Sequence, residues 1–297
     1  HSTIRLNSDA IDSPVDSVTF GGGSNVALNT NGFRLKIEGN GSSSDDGRLR
    51  IEDGARVFVA DVIADDALPG LEAKTVRVGF GGTFSSTGYS VVGRLVDVLP
   101  GGTVASIGTI ELGALASGAA GERALVNDGT ISVGTLGAGT LQLRVNGDAF
   151  IDLDGVTDTG VVRANADNFT GSVGSAELHV VCLLSDPFSG EIQIGPSDTI
   201  RFDEPWELDG SLQFRGSLNP HRAVLLGAPV TAHGAAAIHV ATGEAVLAAP
   251  HTMEAGSFSA ESGTTVNFTA PANFSHDANL QVGEDVTLNI ISNVRIR

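Results

Sequence analysis

The sequence has very few of the residues that build disulfide frameworks and aromatic platforms. It contains one cysteine, one tryptophan, one tyrosine and one methionine in 297 residues. A single cysteine excludes a disulfide within the chain. Because Cys182 lies in the apolar run LHVVCLL, we expect it to act as a small buried hydrophobic residue. The scarcity of tryptophan and tyrosine leaves little material for the ring platforms on which sugars usually stack.

Positive charge and long apolar runs are scarce as well. Lysine and arginine number 17 against 35 aspartates and glutamates, which gives a formal net charge of -18. A surface of that sign repels phosphate backbones, and no basic stripe offsets it, so we predict that the chain does not bind nucleic acid. No stretch approaches the roughly 20 apolar residues of a membrane-spanning helix, so we predict no membrane insertion.

Glycine is abundant, and so are short runs in which apolar and polar residues alternate. The chain has 39 glycines, and its apolar residues alternate with polar ones in short runs bounded by Gly, Asn, Asp or Pro. The run GTLQLRV alternates Leu141, Leu143 and Val145 with polar residues, and SLQFR does the same with Leu212 and Phe214. A period of two is typical of half-buried strands, so we expect these five side chains to point into a core.

The distribution of these runs predicts an all-β fold. Strand patterns recur about every 8 to 14 residues, whereas helical periodicity is scarce and has its best candidate in residues 113–125. No linker or composition break divides the chain, which predicts one elongated domain over residues 1–297. A β-sandwich array and a parallel β-solenoid both suit the pattern. Short strands, small-residue turns and few large aromatics favour the solenoid, with roughly 20 to 25 residues per coil.

Two stretches carry a resemblance to known families. The segments NDGTISVGTLGAGTLQLRVNGDAFIDLDG (127–155) and ANLQVGEDVTLNI (278–290) resemble passenger segments of bacterial autotransporters, filamentous-haemagglutinin-type adhesins and β-helical phage tailspikes. The resemblance implies a right-handed parallel β-helix located outside the cell or on a virion. It carries over no catalytic residue.

A polysaccharide lyase or hydrolase is the enzymatic alternative, because glycoside cleavage needs two carboxylates at a set separation. The chain offers several acidic pairs and a histidine: Asp45-Asp46, Asp65-Asp66, Asp152 with Asp154, Asp203-Glu204 and His233. These match only fragments of the motifs of pectin-degrading β-helix hydrolases. In that family the motifs lie on neighbouring coils, whereas Asp45 and His233 are far apart in this sequence. We therefore expect no active site.

Two further features are candidate binding residues. Asp152 and Asp154 in AFIDLDGV are two positions apart, on one face of a strand, where carboxylate oxygens could bind calcium between coils; a solvated strand surface shows the same pattern. Trp206 in FDEPWELDG is the best candidate for a surface contact with a glycan or partner. The alternative is that the ring of Trp206 fills the core at a loop. We expect no other cofactor.

The sequence therefore predicts a non-enzymatic extracellular β-solenoid that acts as a stalk, a fibre segment or an adhesive surface. A virion tailspike or tail-fibre segment is the main alternative. The expected partners are a surface glycan, a surface protein or other copies of the chain. Because free ends of a solenoid are strand edges open to pairing, we expect them to be capped or joined to another chain.

Overall fold

A computed structural model describes residues 2–12, 17–21, 26–37, 47–60, 62, 68–113, 123–133, 139–145, 149–164, 175–216 and 222–297. The chain forms two compact units. One consists of residues 1–132 and 141–160, and the other of residues 133–140 and 161–297. Each unit is described by itself, and the expectation of one domain over 1–297 stays a prediction. Every regular element in the described ranges is a β-strand, so no helix there is long and apolar enough to cross a membrane.

The first unit contains sixteen strands, two of which, β14 and β15, extend into residues 133–140. They are β1 (Ser2–Arg5), β2 (Ala10–Asp12), β3 (Ser17–Phe20), β4 (Val26–Asn29), β5 (Leu35–Ile37), β6 (Arg48–Ile51), β7 (Arg56–Val59), β8 (Leu71–Val78), β9 (Thr83–Ser86), β10 (Tyr89–Val98), β11 (Thr103–Ala105), β12 (Gly108–Leu112), β13 (Arg123–Asn127), β14 (Thr130–Val133), β15 (Gly139–Val145) and β16 (Phe150–Asp152).

The second unit contains the remaining strands. They are β17 (Val161–Ala164), β18 (Ala176–Val181), β19 (Glu191–Ile194), β20 (Thr199–Phe202), β21 (Trp206–Leu208), β22 (Ser211–Arg215), β23 (Ala223–Gly227), β24 (Val230–Ala232), β25 (Ala237–Thr242), β26 (Glu244–Leu247), β27 (His251–Met253), β28 (Gly256–Ala260), β29 (Thr265–Phe268), β30 (Ala272–Phe274), β31 (Ala278–Val282), β32 (Thr287–Ile290) and β33 (Val294–Ile296).

Each unit is a parallel β-helix with three sides. In the first unit the sides have the orders β1-β4-β7-β9-β11-β14, β2-β5-β8-β10-β12-β15 and β3-β6-β8-β10-β13-β16, and the long strands β8 and β10 contribute to two sides. In the second unit the orders are β17-β19-β22-β25-β28-β31, β18-β20-β23-β26-β29-β32 and β21-β24-β27-β30-β33. The strand pairs described within each unit are parallel, which confirms the solenoid and rules out the β-sandwich array.

The coil length varies along the chain. On one side of the first unit, Thr83 of β9 pairs with Thr103 of β11, whereas Ala27 of β4 pairs with Arg56 of β7. The coil that begins at Ala27 is therefore longer than the coil that begins at Thr83, and it also exceeds the predicted length. The handedness of the coils stays a prediction.

The interior of each β-helix is a stack of alternating side chains. Leu141 and Leu143 in the first unit and Leu212 and Phe214 in the second have no exposed surface, as predicted. Val145, at the end of its strand, is half-buried. Each coil adds one layer to this core, so the stability of each unit comes from nearest-neighbour stacking.

Glycines at one corner of the first unit permit the coils to stack closely. Gly102 and Gly129 immediately precede Thr103 and Thr130, which pair across adjacent coils. A Cβ atom on Gly102 would lie 2.4 Å from the carbonyl oxygen of Val78, and one on Gly129 would lie 2.5 Å from that of Gly102. Since no side chain fits at those distances, this corner requires glycine.

Candidate functional site

The first unit presents a mixed patch of charged and aromatic side chains on the outer face of β5, β8, β10, β12 and β15. Strand pairing places Lys36 beside Glu72 and Glu111 beside Arg144, and Tyr89 lies on the same side of β10. Lys36 and Glu72 face outward because each stands between two buried residues in a strand that alternates. We call Lys36, Glu72, Tyr89, Glu111 and Arg144 the Tyr89 patch.

The hydroxyl of Tyr89 is held in place by Glu111. It donates a hydrogen bond to Oε2 of Glu111 over 2.8 Å. Desolvation, followed by this hydrogen bond and the negative charge of Glu111, raises the pKa of Tyr89 to about 12. The phenol therefore stays protonated at neutral pH and keeps a fixed ring orientation on the sheet.

Glu72 is held by two cations. Its Oε2 lies 2.9 Å from Nη2 of Arg34, and its Oε1 lies 3.7 Å from Nζ of Lys36. Between Glu72 and Glu111, strand β10 places Val91, which pairs with both. The Tyr89 patch thus combines an aromatic ring, two carboxylates and cationic groups on one sheet face, around the buried side chain of Val91. This combination offers hydrogen-bond donors and acceptors beside an apolar surface.

The predicted calcium residues are buried and already engaged in the first unit. The carboxylate of Asp152 accepts a hydrogen bond from the backbone N–H of Gly155 over 2.6 Å, and its Oδ2 lies 2.7 Å from Nη1 of Arg123. The backbone carbonyl of Asp154 accepts hydrogen bonds from Thr159 and Gly160, which closes the turn after β16. Asp152 therefore stabilises a turn and neutralises an arginine. Calcium binding by Asp152 and Asp154 stays a prediction.

Asp203, in the second unit, belongs to an ion-pair cluster. Its Oδ2 lies 2.8 Å from Nε2 of His179, and its Oδ1 accepts a hydrogen bond from Nε of Arg201 over 2.8 Å. Burial raises the pKa of Asp203, but the hydrogen bonds and charges of His179 and Arg201 outweigh that effect and lower it below its usual value. A carboxyl of this kind stays ionised and is unsuited to act as a general acid.

His233 has different partners from Asp203. Its Nε2 lies 3.3 Å from Glu207 and its Nδ1 lies 3.4 Å from Glu254, on the preceding and following coils of the second unit. The structure therefore gives Asp203 and His233 separate partners. Asp45, Asp46, Asp65 and Asp66 lie outside the described residues.

Trp206 is part of the core, which corrects its assignment as a surface contact. Its side chain is only 4% exposed, and its ring stacks on that of Phe202 with centroids 4.4 Å apart. Trp206 and Leu208 point inward from β21 while Glu207 points outward. Sequence reasoning did not identify Tyr89 as a site residue, because its neighbours on the sheet become apparent only when the coil register is known.

Cys182 is half-buried in the second unit. Desolvation, with a smaller contribution from the charge of Glu204, raises the pKa of its thiol to about 12. A thiol with that pKa is not a nucleophile at neutral pH.

No family model matches the chain. No curated protein matches it either. Among solved structures, it is similar to the TibC-catalysed hyper-glycosylated TibA55-350 fragment, at 14% identity and a TM-score of 0.23, over 99% of this chain and 95% of that chain. At this TM-score the similarity gives no information about a functional site. By its strands and their pairing, the chain is a parallel β-solenoid.

Proposed function

We propose that this chain is a non-enzymatic adhesive β-solenoid that acts outside the cell, at a cell surface, and binds a glycan through the Tyr89 patch. The observation that carries the proposal is the pairing of Tyr89 with Glu111 on an outward sheet face. Its half-buried ring offers an aromatic surface to a ligand in a chain whose single tryptophan is buried. Phe80 is more exposed, but its ring carries no hydroxyl that could orient a sugar.

The chemistry of the patch suits a sugar. Sugar hydroxyls both donate and accept hydrogen bonds, and their C–H faces pack against aromatic rings. Glu72 and Glu111 supply acceptors, Lys36 and Arg144 supply donors, and the ring of Tyr89 supplies the apolar contact. Because strand pairing and the bond to Glu111 hold these groups in place, little side-chain entropy is lost when a ligand binds.

The same structure argues against catalysis. Cleavage of a polysaccharide needs at least two groups that converge on one bond, one of them able to exchange a proton near neutral pH. Asp152 is paired with Arg123 and Asp203 with His179. The raised pKa of Tyr89 makes its phenol a weaker acid than that of an ordinary tyrosine.

The proposal is tested by surface plasmon resonance on a panel of immobilised neutral and acidic polysaccharides. We expect the chain to be retained by at least one of them, and Tyr89→Ala to weaken that binding about tenfold or more, a loss of about 1.4 kcal/mol. Gln213→Ala, an outward-facing residue of β22 in the second unit, is the matched control and should bind as the unaltered chain does. Equal binding by Tyr89→Ala, or retention by no polysaccharide, would refute the proposal.

A further inference from the structure

Basic side chains gather on four adjoining strands of the first unit. Strands β5, β6, β8 and β10 contain six basic and two acidic residues, for a formal net charge of +4, whereas the whole chain carries -18. Ladders join β5 to β8, β6 to β8 and β8 to β10. The fold therefore brings together positive charges that the sequence spreads over residues 36–94. We call the six basic residues the basic surface: Lys36, Arg48, Arg50, Lys74, Arg77 and Arg94.

The side chains of the basic surface point away from the core. On β5 and β6 the outward positions include Lys36, Arg48 and Arg50, which stand beside buried residues in strands that alternate. On β8, Arg77 stands between two buried valines, and its side chain is 36% exposed. Arg94 of β10 is exposed as well. The positive charges are therefore accessible to a ligand in solution.

Strand pairing places two arginines of the basic surface side by side. Arg50 of β6 pairs with Arg77 of β8, so their side chains leave backbones that are about 5 Å apart. Arg77 also pairs with Asp97 of β10, and its Nε lies 3.5 Å from Oδ2 of Asp97. Like charges at directly paired positions repel each other. An anionic ligand that lies over Arg50 and Arg77 would relieve this repulsion.

The arginines also have the donors that an anionic ligand needs. A guanidinium carries five N–H groups in a planar fork that matches a carboxylate or a tetrahedral oxyanion. An arginine that already contacts one neighbour, as Arg77 contacts Asp97, therefore keeps donors for a ligand. The second acidic residue of these strands, Glu72, lies 2.9 Å from Arg34, whose charge offsets its own. The four strands thus present a surface that selects for negative charge.

We propose that the glycan bound by this chain is an acidic polysaccharide, whose carboxylate or sulfate groups bind the basic surface while a sugar ring packs on Tyr89. This inference rests on the proposed function and names the class of its ligand. Lys36 belongs both to the basic surface and to the Tyr89 patch, so the two surfaces are continuous. One polymer can therefore contact the arginines and the aromatic ring together.

The charge distribution favours a polysaccharide over a nucleic acid. Duplex DNA carries one negative charge per roughly 1.7 Å of its length, so it needs a long basic track. The residues outside β5, β6, β8 and β10 carry a formal net charge of -22, since the chain carries -18 and these four strands carry +4. They repel a ligand that extends beyond the basic surface with so high a charge density.

Surface plasmon resonance on two matched pairs of immobilised polymers tests the ligand class. The pairs are dextran sulfate with dextran, and polygalacturonate with its methyl ester, so that the members of each pair share a backbone and differ in charge. We expect at least one charged polymer to bind the chain about tenfold or more tightly than its neutral counterpart. This binding should weaken as the sodium chloride concentration rises, because salt competes with the polymer for the cationic groups.

Substitutions of single arginines test the place of binding. Arg50→Gln should weaken binding to the charged polymer about tenfold or more and reduce its salt dependence. Arg50→Lys keeps the charge without the planar fork, so its affinity should lie between those of Arg50→Gln and the unaltered chain. Arg163→Gln, at an outward position of β17 in the second unit, removes the same charge and should leave the affinity unchanged. Melting temperatures of the three variants show that each one folds.

The outcomes separate this inference from glycan binding itself. Equal binding of charged and neutral polymers that is still lost in Tyr89→Ala overturns the acidic ligand class, while it leaves the proposed function intact. Equal losses in Arg50→Gln and Arg163→Gln overturn the basic surface as the binding site. Duplex DNA that binds more tightly than the charged polymers at the same salt concentration overturns the polysaccharide as the ligand. Retention by no polysaccharide, neutral or acidic, overturns this inference and the proposed function together.

Discussion

Nη1 of Arg123 lies 2.7 Å from the buried carboxylate of Asp152, so β13 and β16 are joined by an ion pair on their outer face as well as by their backbone ladder. Arg123→Leu leaves Asp152 charged, buried and without its cation. We expect a loss of about 2 kcal/mol in the free energy of unfolding, less than the roughly 3–5 kcal/mol of a fully buried pair because Arg123 is partly exposed. Urea denaturation of the purified chain measures this loss.

The matched control for this substitution is Arg222→Leu. Arg222 pairs with Glu244 over 2.9 Å in the second unit, and its side chain is more exposed than that of Arg123. Removal of an exposed partner costs about 1 kcal/mol or less. If the two variants lose equal stability, the ion pair of Asp152 has no special structural role.

The calcium prediction can be separated from the role of Arg123. Calcium and the guanidinium of Arg123 compete for the same carboxylate of Asp152, so any rise in melting temperature with calcium should be larger in Arg123→Gln than in the unaltered chain. Differential scanning fluorimetry with calcium or with a chelator measures it. If calcium leaves both melting temperatures unchanged, Asp152 and Asp154 do not form a calcium site.

His251 should make the second unit sensitive to acid. Its side chain is 3% exposed and stacks against Phe268, with ring centroids 5.4 Å apart. Desolvation lowers the pKa of His251 from 6.5 to about 4, although the hydrogen bond to the carbonyl of Ala249 opposes the shift. Between these two values the unfolded chain binds a proton that the folded chain does not. Stability should therefore fall as the pH drops from 6.5 to 4, by about 3 kcal/mol in all.

His251→Leu should remove the loss of stability that protonation of His251 causes, and it should leave the acid sensitivity that arises from other groups. His276→Leu is the control, since the side chain of His276 is largely exposed. Free energies of unfolding from urea titrations between pH 7 and pH 4 provide the comparison. The interpretation fails if His251→Leu and the unaltered chain lose the same stability over that interval.

The core register predicts the cost of a cavity. Leu141 is fully buried and pairs with Gly108 of the neighbouring coil, which has no side chain to fill a gap. Leu141→Ala should therefore cost about 2 to 5 kcal/mol. Gln142→Ala, the next residue of the same strand, faces outward and should cost much less. Thermal or urea denaturation of both variants tests the register, and a reversed order of the two losses would show that it is wrong.

The sequence was sufficient to predict the inward positions and the solenoid. Alternation placed Leu141, Leu143, Leu212 and Phe214 in the core because a strand has a side-chain period of two whatever its neighbours are. The same alternation is present in Trp206-Glu207-Leu208, where it identifies Trp206 as a core residue. The acidic neighbours of Trp206 had suggested an exposed ring, and they were the weaker guide.

The features that depend on coil register were not predictable. Tyr89 and Glu111 are 22 positions apart, and their contact depends on a coil length that differs from one coil to the next. The helix predicted for residues 113–125 is wrong for its last residues, because Arg123–Asn127 forms β13. Residues 114–122 lie outside the described ranges. Pairing with Val96 and Asp97 of β10 overrides the weak local helical pattern there.

We propose above that this chain binds a glycan and leaves it intact. The most direct measurement uses the polysaccharide that retains the chain, incubates the two together, and determines the size distribution of the polysaccharide and its content of reducing and unsaturated ends. We predict binding that depends on Tyr89, with a size distribution identical to that of the polysaccharide incubated alone. A progressive fall in polymer length, abolished by Asp203→Asn or Asp152→Asn, would contradict the account and identify an enzyme.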